Sequence, residues 1–334
     1  VAVVGLGTTG SHLARQFRAP DVERIALLDP DPGRVRAVRG ALDRNLTIDP
    51  GPPSTADPPE VIVLAGPVGT HRPRAEAFLD AGSHVVSISD DPGDVEQLLA
   101  LDALAVERGR SVVVGAGFCP GLSDILARWA GDRLDRVEGI SIATAGTGGP
   151  ACARQHHRAL KSDSRDWRGG HWEVRRGGSG RDLAWFPDPI GARDTYLAAL
   201  ASPLLLQRVY PTADRISARL SATRRDRFTI RLPMLRRPHP DGGPGAIRVE
   251  VRGRAGSSVE TLVYGVMDHP SVAAGAVAAV AALAAGRGLA PLGANGLAGW
   301  DDPASLLAEL HRRGVKVASF TGQLASLPSR SGRR

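Results

Sequence analysis

The sequence predicts an α/β chain in which a doubly wound parallel sheet comes first and a second, mixed α+β domain with a largely antiparallel sheet follows. Three observations carry this. Over the first 117 residues, short Val/Ile/Leu runs alternate with amphipathic helical stretches, the order that joins parallel strands through crossover helices. Past Gly117 that order stops; beyond a polar region rich in Gly, Arg, His and Trp, period-two alternation sets in, as half-buried antiparallel strands require. Between the first apolar run and the first helical stretch lies a glycine loop, Gly5-Leu-Gly-Thr-Thr-Gly10.

Taken in order, the apolar runs predict strands near residues 1–5, 24–29, 61–65, 84–89 and 111–115, and the helical spacing of apolar side chains predicts helices near 9–18, 34–42, 72–81 and 95–107. A helix near 122–129 and a strand near 137–144 open the second part. Alternation then predicts strands near 215–222, 227–232, 247–252 and 260–266, followed by an alanine-rich helix near 272–285. Residues 238–245 read as a connecting loop by their Pro and Gly content. The expected domains are 1–120 and 121–320, with the 270–287 helix able to pack back on the first, and 321–334 as a frayed polar tail.

Composition removes several function classes. The longest apolar stretch, 273–285, is short of the roughly 18 residues that cross a bilayer, so no membrane span is expected. The chain starts directly on a strand with no basic and apolar leader, which points to a cytoplasmic setting. Cys119 and Cys152 are too few for a disulfide framework and lack metal-ligand spacing, so no metal is expected. The net charge of +7 comes almost wholly from arginine, since Lys161 and Lys316 are the only lysines. Arg224, Arg225 and Arg227 with Arg236 and Arg237 form the densest basic cluster; with few aromatics and no nucleic-acid motif, it reads as a solvated face.

The glycine loop has the context its chemistry needs, strand before and helix after, which makes the first part Rossmann-like. Gly5 permits the tight turn, Gly7 lets the backbone approach a pyrophosphate, and Gly10 lets the helix pack on the strand, with Thr8 and Thr9 opening the helix beneath the phosphates. Unpaired amides and the helix dipole favour negative charge there. Asp29 ends the next strand at the offset where a carboxylate meets the adenosine ribose, which favours NAD; with Arg34 and Arg36 nearby, NADP stays open, and Asp29 is equally a turn aspartate in Asp29-Pro-Asp-Pro. Three later loops are expected at the nicotinamide end: 66–71 with Gly66 and Pro67, 87–91 with Ser89, and 115–121 with Gly117, Phe118 and Cys119. Turn chemistry alone also accounts for each of them.

The glycine loop, together with Gly115-Ala-Gly-Phe-Cys-Pro-Gly-Leu-Ser-Asp-Ile-Leu-Ala127 and Tyr264-Gly-Val-Met-Asp-His-Pro-Ser-Val-Ala-Ala-Gly-Ala276, resembles the saccharopine dehydrogenase family, which includes saccharopine reductases, carboxynorspermidine dehydrogenases and lysine 6-dehydrogenases. Pro120-Gly121 stand where that family has a Pro-Gly pair leading into a helix. The resemblance implies an NAD(P)-dependent dehydrogenase or reductase that moves hydride at a carbon bonded to nitrogen, interconverting amine and imine on an amino-acid-like substrate. Two departures stand out: several members carry a carboxylate where this chain has Cys119, and the substrate region is unlike theirs. The Lys/His pair of the lysine-forming enzymes has no counterpart in the first domain, which contains no lysine.

In the second part, Gly146 to Lys161 joins a Gly-rich turn to a basic run. Arg154 and Arg158 suit a substrate carboxylate, and His157 with Lys161, on one helical face, suit proton transfer as catalytic candidates. A solvated basic helix accounts for the same pattern. Trp167 and His171, with Trp172 and Trp185, are expected either to contact substrate as a lid or to anchor a small core. Cys119 is expected to line the nicotinamide pocket without covalent chemistry, Asp124 to orient the cofactor or cap its helix, and Asp268 with His269 to begin a helix. The expected partners are a small carboxylated amine and a second copy of the chain as a homodimer, with neither nucleic acid nor membrane. The same fold also hosts reduction of C=C or C=O bonds and nucleotide binding without turnover.

Overall fold

The computed structural model describes residues 1–234 and 238–320. Arg236, Arg237 and the polar tail at 321–334 lie outside the described residues. In chain order the elements are β1 (Ala2–Val4), α1 (Thr8–Ala14), β2 (Arg24–Leu28), α2 (Pro32–Arg39), β3 (Thr47–Ile48), β4 (Val61–Leu64), α3 (His71–Asp80), β5 (His84–Ser87), α4 (Pro92–Leu99), α5 (Asp102–Glu107) and β6 (Ser111–Val114). They continue with α6 (Leu122–Gly131), β7 (Arg136–Ala145), α7 (Pro150–Lys161), β8 (Ser164–Arg168), β9 (His171–Arg175), β10 (Asp182–Trp185), β11 (Ala192–Leu197), α8 (Ser202–Val209), β12 (Arg215–Ser221) and α9 (Arg224–Thr229). Last come β13 (Gly245–Ala255), β14 (Ser258–Asp268), α10 (Pro270–Gly286), β15 (Gly293–Gly296), α11 (Pro303–Arg312) and β16 (Val317–Ser319).

Among the described residues the first sheet has seven strands in the order β15-β6-β5-β4-β1-β2-β3, all pairs parallel. Helices cover both faces, so β1, β4, β5 and β6 are buried at every position, which is why they read as continuous apolar runs. The chain winds outward from β1 to β3 on one side and from β4 to β6 on the other. Loops leaving β1 and β4 therefore diverge, and the crevice they open is where such sheets bind ligands.

The second sheet runs β10-β11-β12-β7-β13-β14-β16, with the β8–β9 hairpin paired to β12. β7 and β12 are parallel, while the other pairs are antiparallel. Alternate residues, Ile140 and Ile142, Ile216, Ala218 and Leu220, Ile247, Val249 and Val251, are buried, so the period-two pattern marks the face toward the core with α6 and α8. The α10 helix is apolar nearly all round and buried without a break from Ala273 to Ala285, lying against α1, β4, β5, α6 and α11. No helix among the described residues is long and apolar enough to cross a membrane.

Two expected elements differ. The single helix expected near 95–107 is split into α4 and α5, because the chain bends at Ala100 and Leu101 to bury Leu101, and the Asp102 carboxylate then accepts from the Ala294 amide at 2.7 Å to hold β15. The strand expected near 227–232 is instead α9 and a following turn. A capping box between Thr223 and Asp226 starts the helix, and Phe228, 81% exposed, has no core to pack on, so local capping outweighs an alternation with nothing to bury.

The contact between α1 and α10 requires Gly275, where a Cβ would lie 2.7 Å from the Leu13 amide nitrogen. Gly275→Val is expected to lower stability by about 2 kcal/mol or more, because the neighbouring atoms are backbone and cannot rotate away. An unfolding midpoint in urea equal to that of the parent chain would show that the two helices separate freely.

Candidate functional site

The glycine loop brings three backbones together. Gly5 sits at φ +92°, and a Cβ there would lie 2.5 Å from the Ala65 carbonyl oxygen; at Gly10 it would lie 1.9 Å from the Gly5 oxygen. At Gly7 nothing lies within 4 Å of that position, so the amino end of α1 faces open space. These residues fit a dinucleotide's pyrophosphate: the cradle exists only because side chains are missing. Thr9 is half-buried in the first turn of α1, and the Thr8 hydroxyl donates to the Pro240 carbonyl at 3.0 Å, so the 238–243 loop reaches the rim of the cradle.

The Asp29 side chain is only 6% exposed and braces this loop. Its Oδ2 accepts from the Leu6 amide at 2.7 Å and its Oδ1 from the Asp31 amide at 2.9 Å. Each oxygen keeps a second lone pair for a ribose hydroxyl, so the turn role and the ribose role coexist. The Arg34 guanidinium stands 3.9 Å away and 56% exposed, placed to meet a 2′-phosphate.

The next loops are tied to one another. His71 bridges the ends of β4 and β5, with Nε2 at 3.0 Å from the Gly66 carbonyl and Nδ1 at 2.8 Å from the Ser87 hydroxyl. The carbonyl can only accept, so a neutral ring donates from Nε2 and accepts at Nδ1; burial lowers its pKa and favours that form. The Thr70 hydroxyl closes the turn on the Pro67 carbonyl at 2.7 Å. Ser89 is buried and donates to Asp94, which also accepts from the Gly69 amide. Ser89 therefore braces the loops rather than lining the crevice.

Gly117, Phe118 and Cys119 are buried in the turn after β6, where the Gly117 amide donates to the Pro120 carbonyl at 3.1 Å and the Cys119–Pro120 peptide is cis. The Cys119 sulfur lies 3.7 Å from the Ser202 hydroxyl, and burial pushes the thiol up to about 12, leaving a neutral packing group. Asp124 neither caps α6 nor meets the crevice: it is fully buried, and one oxygen accepts from Ser123 and Ser202, each at 2.8 Å, tying α6 to α8. Burial raises its pKa to about 7 against the pull of those two hydroxyls.

The structure adds a cluster at the carboxyl end of β5. Helix α7 starts at Gly149, where a Cβ would lie 2.6 Å from the Thr8 hydroxyl, so its amino end sits against the glycine loop. Cys152 and His156, one turn apart, face the loop after β5: His156 Nε2 lies 3.6 Å from Cys152 Sγ and 3.9 Å from Asp90 Oδ2. Gln155 donates to Asp91 at 2.9 Å, and Arg158 donates to Gln155 at 2.7 Å. Burial pushes Asp90 up and the His156 ring down, and each opposes the other's shift. The pair is thereby biased toward a neutral carboxyl and a neutral imidazole.

The side chains chosen from the sequence lie differently. His157 turns to the Leu232 carbonyl at 3.0 Å, Lys161 is exposed in the last turn of α7, and Arg154 is exposed. The residue meeting the crevice loops is thus His156, not His157. The available signal was the pairing of Cys152 with His156 at i,i+4 beside buried Ala153, Ala159 and Leu160, which marks the inner face. The neighbours of Cys152 are His156 on its own helix and Asp90 in the loop after β5, a grouping that the spacing of the two cysteines does not reveal. Trp167 donates to the Ala213 carbonyl at 3.0 Å and stands edge-on to Trp172, with ring centroids 5.2 Å apart. Its cross-strand partner Ile216 pairs with Ile140, roughly 16 Å along β7 from Ala145 at the crevice end. The two rings therefore anchor a small core rather than a lid, and His171 is exposed at the tip of that hairpin.

Residues 1–116 match the GFO/IDH/MocA family model, described as oxidoreductase family, NAD-binding Rossmann fold. Over its length the chain is similar to saccharopine dehydrogenase (L-Glu forming) from Saccharomyces cerevisiae, with a TM-score of 0.69 at 12% identity, covering 95% of this chain and 99% of that one. It is also similar to C. glutamicum DAP dehydrogenase in complex with DAP, with a TM-score of 0.49 at 16% identity, covering 94% of this chain and 98% of that one. The stretch from β1 to β6 is an NAD-binding Rossmann unit, and the whole chain shares the fold of the yeast enzyme.

Gly7→Asp places a carboxylate where phosphate would lie, in space the fold leaves open. NADH affinity is expected to fall at least tenfold, about 1.4 kcal/mol, at unchanged melting temperature. Undiminished affinity in a fluorescence titration would remove the loop from the cofactor site. Asp124→Asn tests the buried carboxyl. Its folded pKa lies above the unfolded value, so ionisation costs stability as pH rises from about 4 to 7. Relative to the parent chain, the variant should gain about 3 kcal/mol between pH 5 and pH 8. Equal differences in urea midpoints at both pH values would contradict this.

Proposed function

We propose that the chain is an NAD(P)-dependent oxidoreductase that interconverts amine and imine on a small carboxylated, amino-acid-like substrate. The observation that carries this reading is the placement of a cluster of proton-exchanging groups, Asp90 with Cys152 and His156, beside the crevice that the glycine loop opens. Oxidising an amine requires loss of a proton from nitrogen as well as hydride from carbon. Bound NAD(P) supplies the hydride chemistry.

The protein's part is to hold the substrate and exchange the proton. A protonated amine has no lone pair to assist hydride loss, so the ammonium proton must first be removed, a task that falls to the cluster. Arg158, held by Gln155 above Asp91, is the nearer of the two arginines proposed for the substrate carboxylate, with Arg154 one turn away on α7. The neutral Cys119 thiol fits a route without covalent attachment. The three stretches that resemble the saccharopine dehydrogenase family support the same chemistry, and two free cysteines suit a cytoplasmic setting.

The test is turnover of the purified chain with NAD and with NADP against amines and amino acids, and in reverse against keto acids with ammonia. NAD(P)H formation on an amino substrate is expected. His156→Gln should then lower kcat about 100-fold or more at unchanged NADH affinity, while His157→Gln stays within about twofold. Turnover confined to hydroxy acids or unsaturated acids would overturn the C–N reading.

A further inference from the structure

We infer that Asp90, Cys152 and His156 form a binding site for one zinc ion on the substrate side of the crevice. The site stands on its own geometry; only its catalytic consequence rests on the function proposed above. A carboxylate oxygen, a thiol sulfur and an imidazole nitrogen lie within 4.8 Å of one another. That mixture suits zinc, which takes oxygen, nitrogen and sulfur donors, and is wrong for magnesium or calcium, which take oxygen alone.

The spacing supports it quantitatively. Zinc–sulfur and zinc–nitrogen bonds of ordinary length at a tetrahedral angle put sulfur and nitrogen about 3.6 Å apart, and nitrogen and oxygen about 3.4 Å apart. The protein holds sulfur and nitrogen 3.6 Å apart, and nitrogen and oxygen 3.9 Å apart. The first separation matches the one zinc would impose, and the second exceeds it by about 0.5 Å.

The frame holding these donors is built independently of them. Cys152 and His156 share a face of α7, whose amino end is fixed against Thr8 through Gly149, and the Gln155 bond to Asp91 pins the helix to the loop that carries Asp90. The side chains of His156 and Asp90 remain 14% and 25% exposed, so solvent reaches the cluster and leaves room for a fourth ligand. Three protein ligands with one open position is the pattern of catalytic rather than structural zinc. In that place the ion would hold a lone pair of the substrate or a water molecule, and proton exchange would pass through that water.

The experiment uses the purified chain stripped with a chelator and then titrated with zinc, with metal content read by elemental analysis. Cobalt(II) serves as the spectroscopic probe. One zinc per chain and a sulfur-to-cobalt charge-transfer band are expected. Cys152→Ser should lose that band, and His156→Ala should bind zinc at least tenfold more weakly, with NADH affinity retained in both as the measure of folding. His157→Ala should bind zinc like the parent chain. Substoichiometric zinc in the parent chain, or a cobalt spectrum without the thiolate band, overturns the site and leaves a Cys–His hydrogen bond beside the Asp90 side chain. Full turnover by the metal-free chain overturns the catalytic role while leaving the proposed oxidoreductase intact; zinc bound at one per chain with no turnover on any amine does the reverse.

Discussion

The position of α1 is the constraint on which the crevice depends, and it is set by atoms that are missing. On one side Gly10 lets the helix backbone approach the turn at Gly5; on the other, Gly275 lets α10 approach the same helix at Leu13. Only a helix wedged so closely between β1 and α10 holds its first amides at the mouth of the sheet. The second sheet is coupled to this wedge because α10 follows directly from β14, and α7 abuts Thr8 at the helix's amino end. Moving α1 by the width of a methyl group would shift the phosphate cradle and loosen both contacts that bring the second sheet to it.

Inside that frame the ionisable groups share a tendency. Burial moves Asp90 up and His71 and His156 down at the crevice loops, and moves Asp124 up between α6 and α8, so each is pushed toward its uncharged form. The cationic excess of the chain is instead kept at the surface, as with Arg34 and Arg154. A dinucleotide brings its own negative charges to the α1 end, and under the proposed function the exposed Arg154 and Arg158 of α7 meet the charge of the substrate at the other.

How much of this was legible in the sequence follows from what each feature is made of. The parallel strands were readable because burial on both faces leaves only apolar residues, and the glycine loop was readable because its chemistry is backbone, written as the absence of side chains. The stretch from 164 to 185 was not, since strands such as Ser164–Arg168 carry charged residues on both faces and owe their form to pairing with β12. Near 227–232 a period without burial misled. At the cluster, a single residue's step along α7 separates His156 from His157, about a quarter turn, and which of the two faces β5 depends on how the helix docks, a tertiary fact that local spacing only hints at.

The edge strand β15 pairs with β6 in register from Gly293 opposite Ser111, yet strands β7 to β14 of the second sheet are threaded between them. During synthesis β6 therefore waits with an open edge while about 180 further residues emerge, because its neighbour is encoded beyond them. An apolar strand with unpaired amides is a template for any passing chain, so the long insertion makes the nascent protein most prone to association in the interval before β15 arrives. Sealing the first sheet is thus a late event in assembly, and it reports that the inserted half has folded well enough to bring its two ends back together.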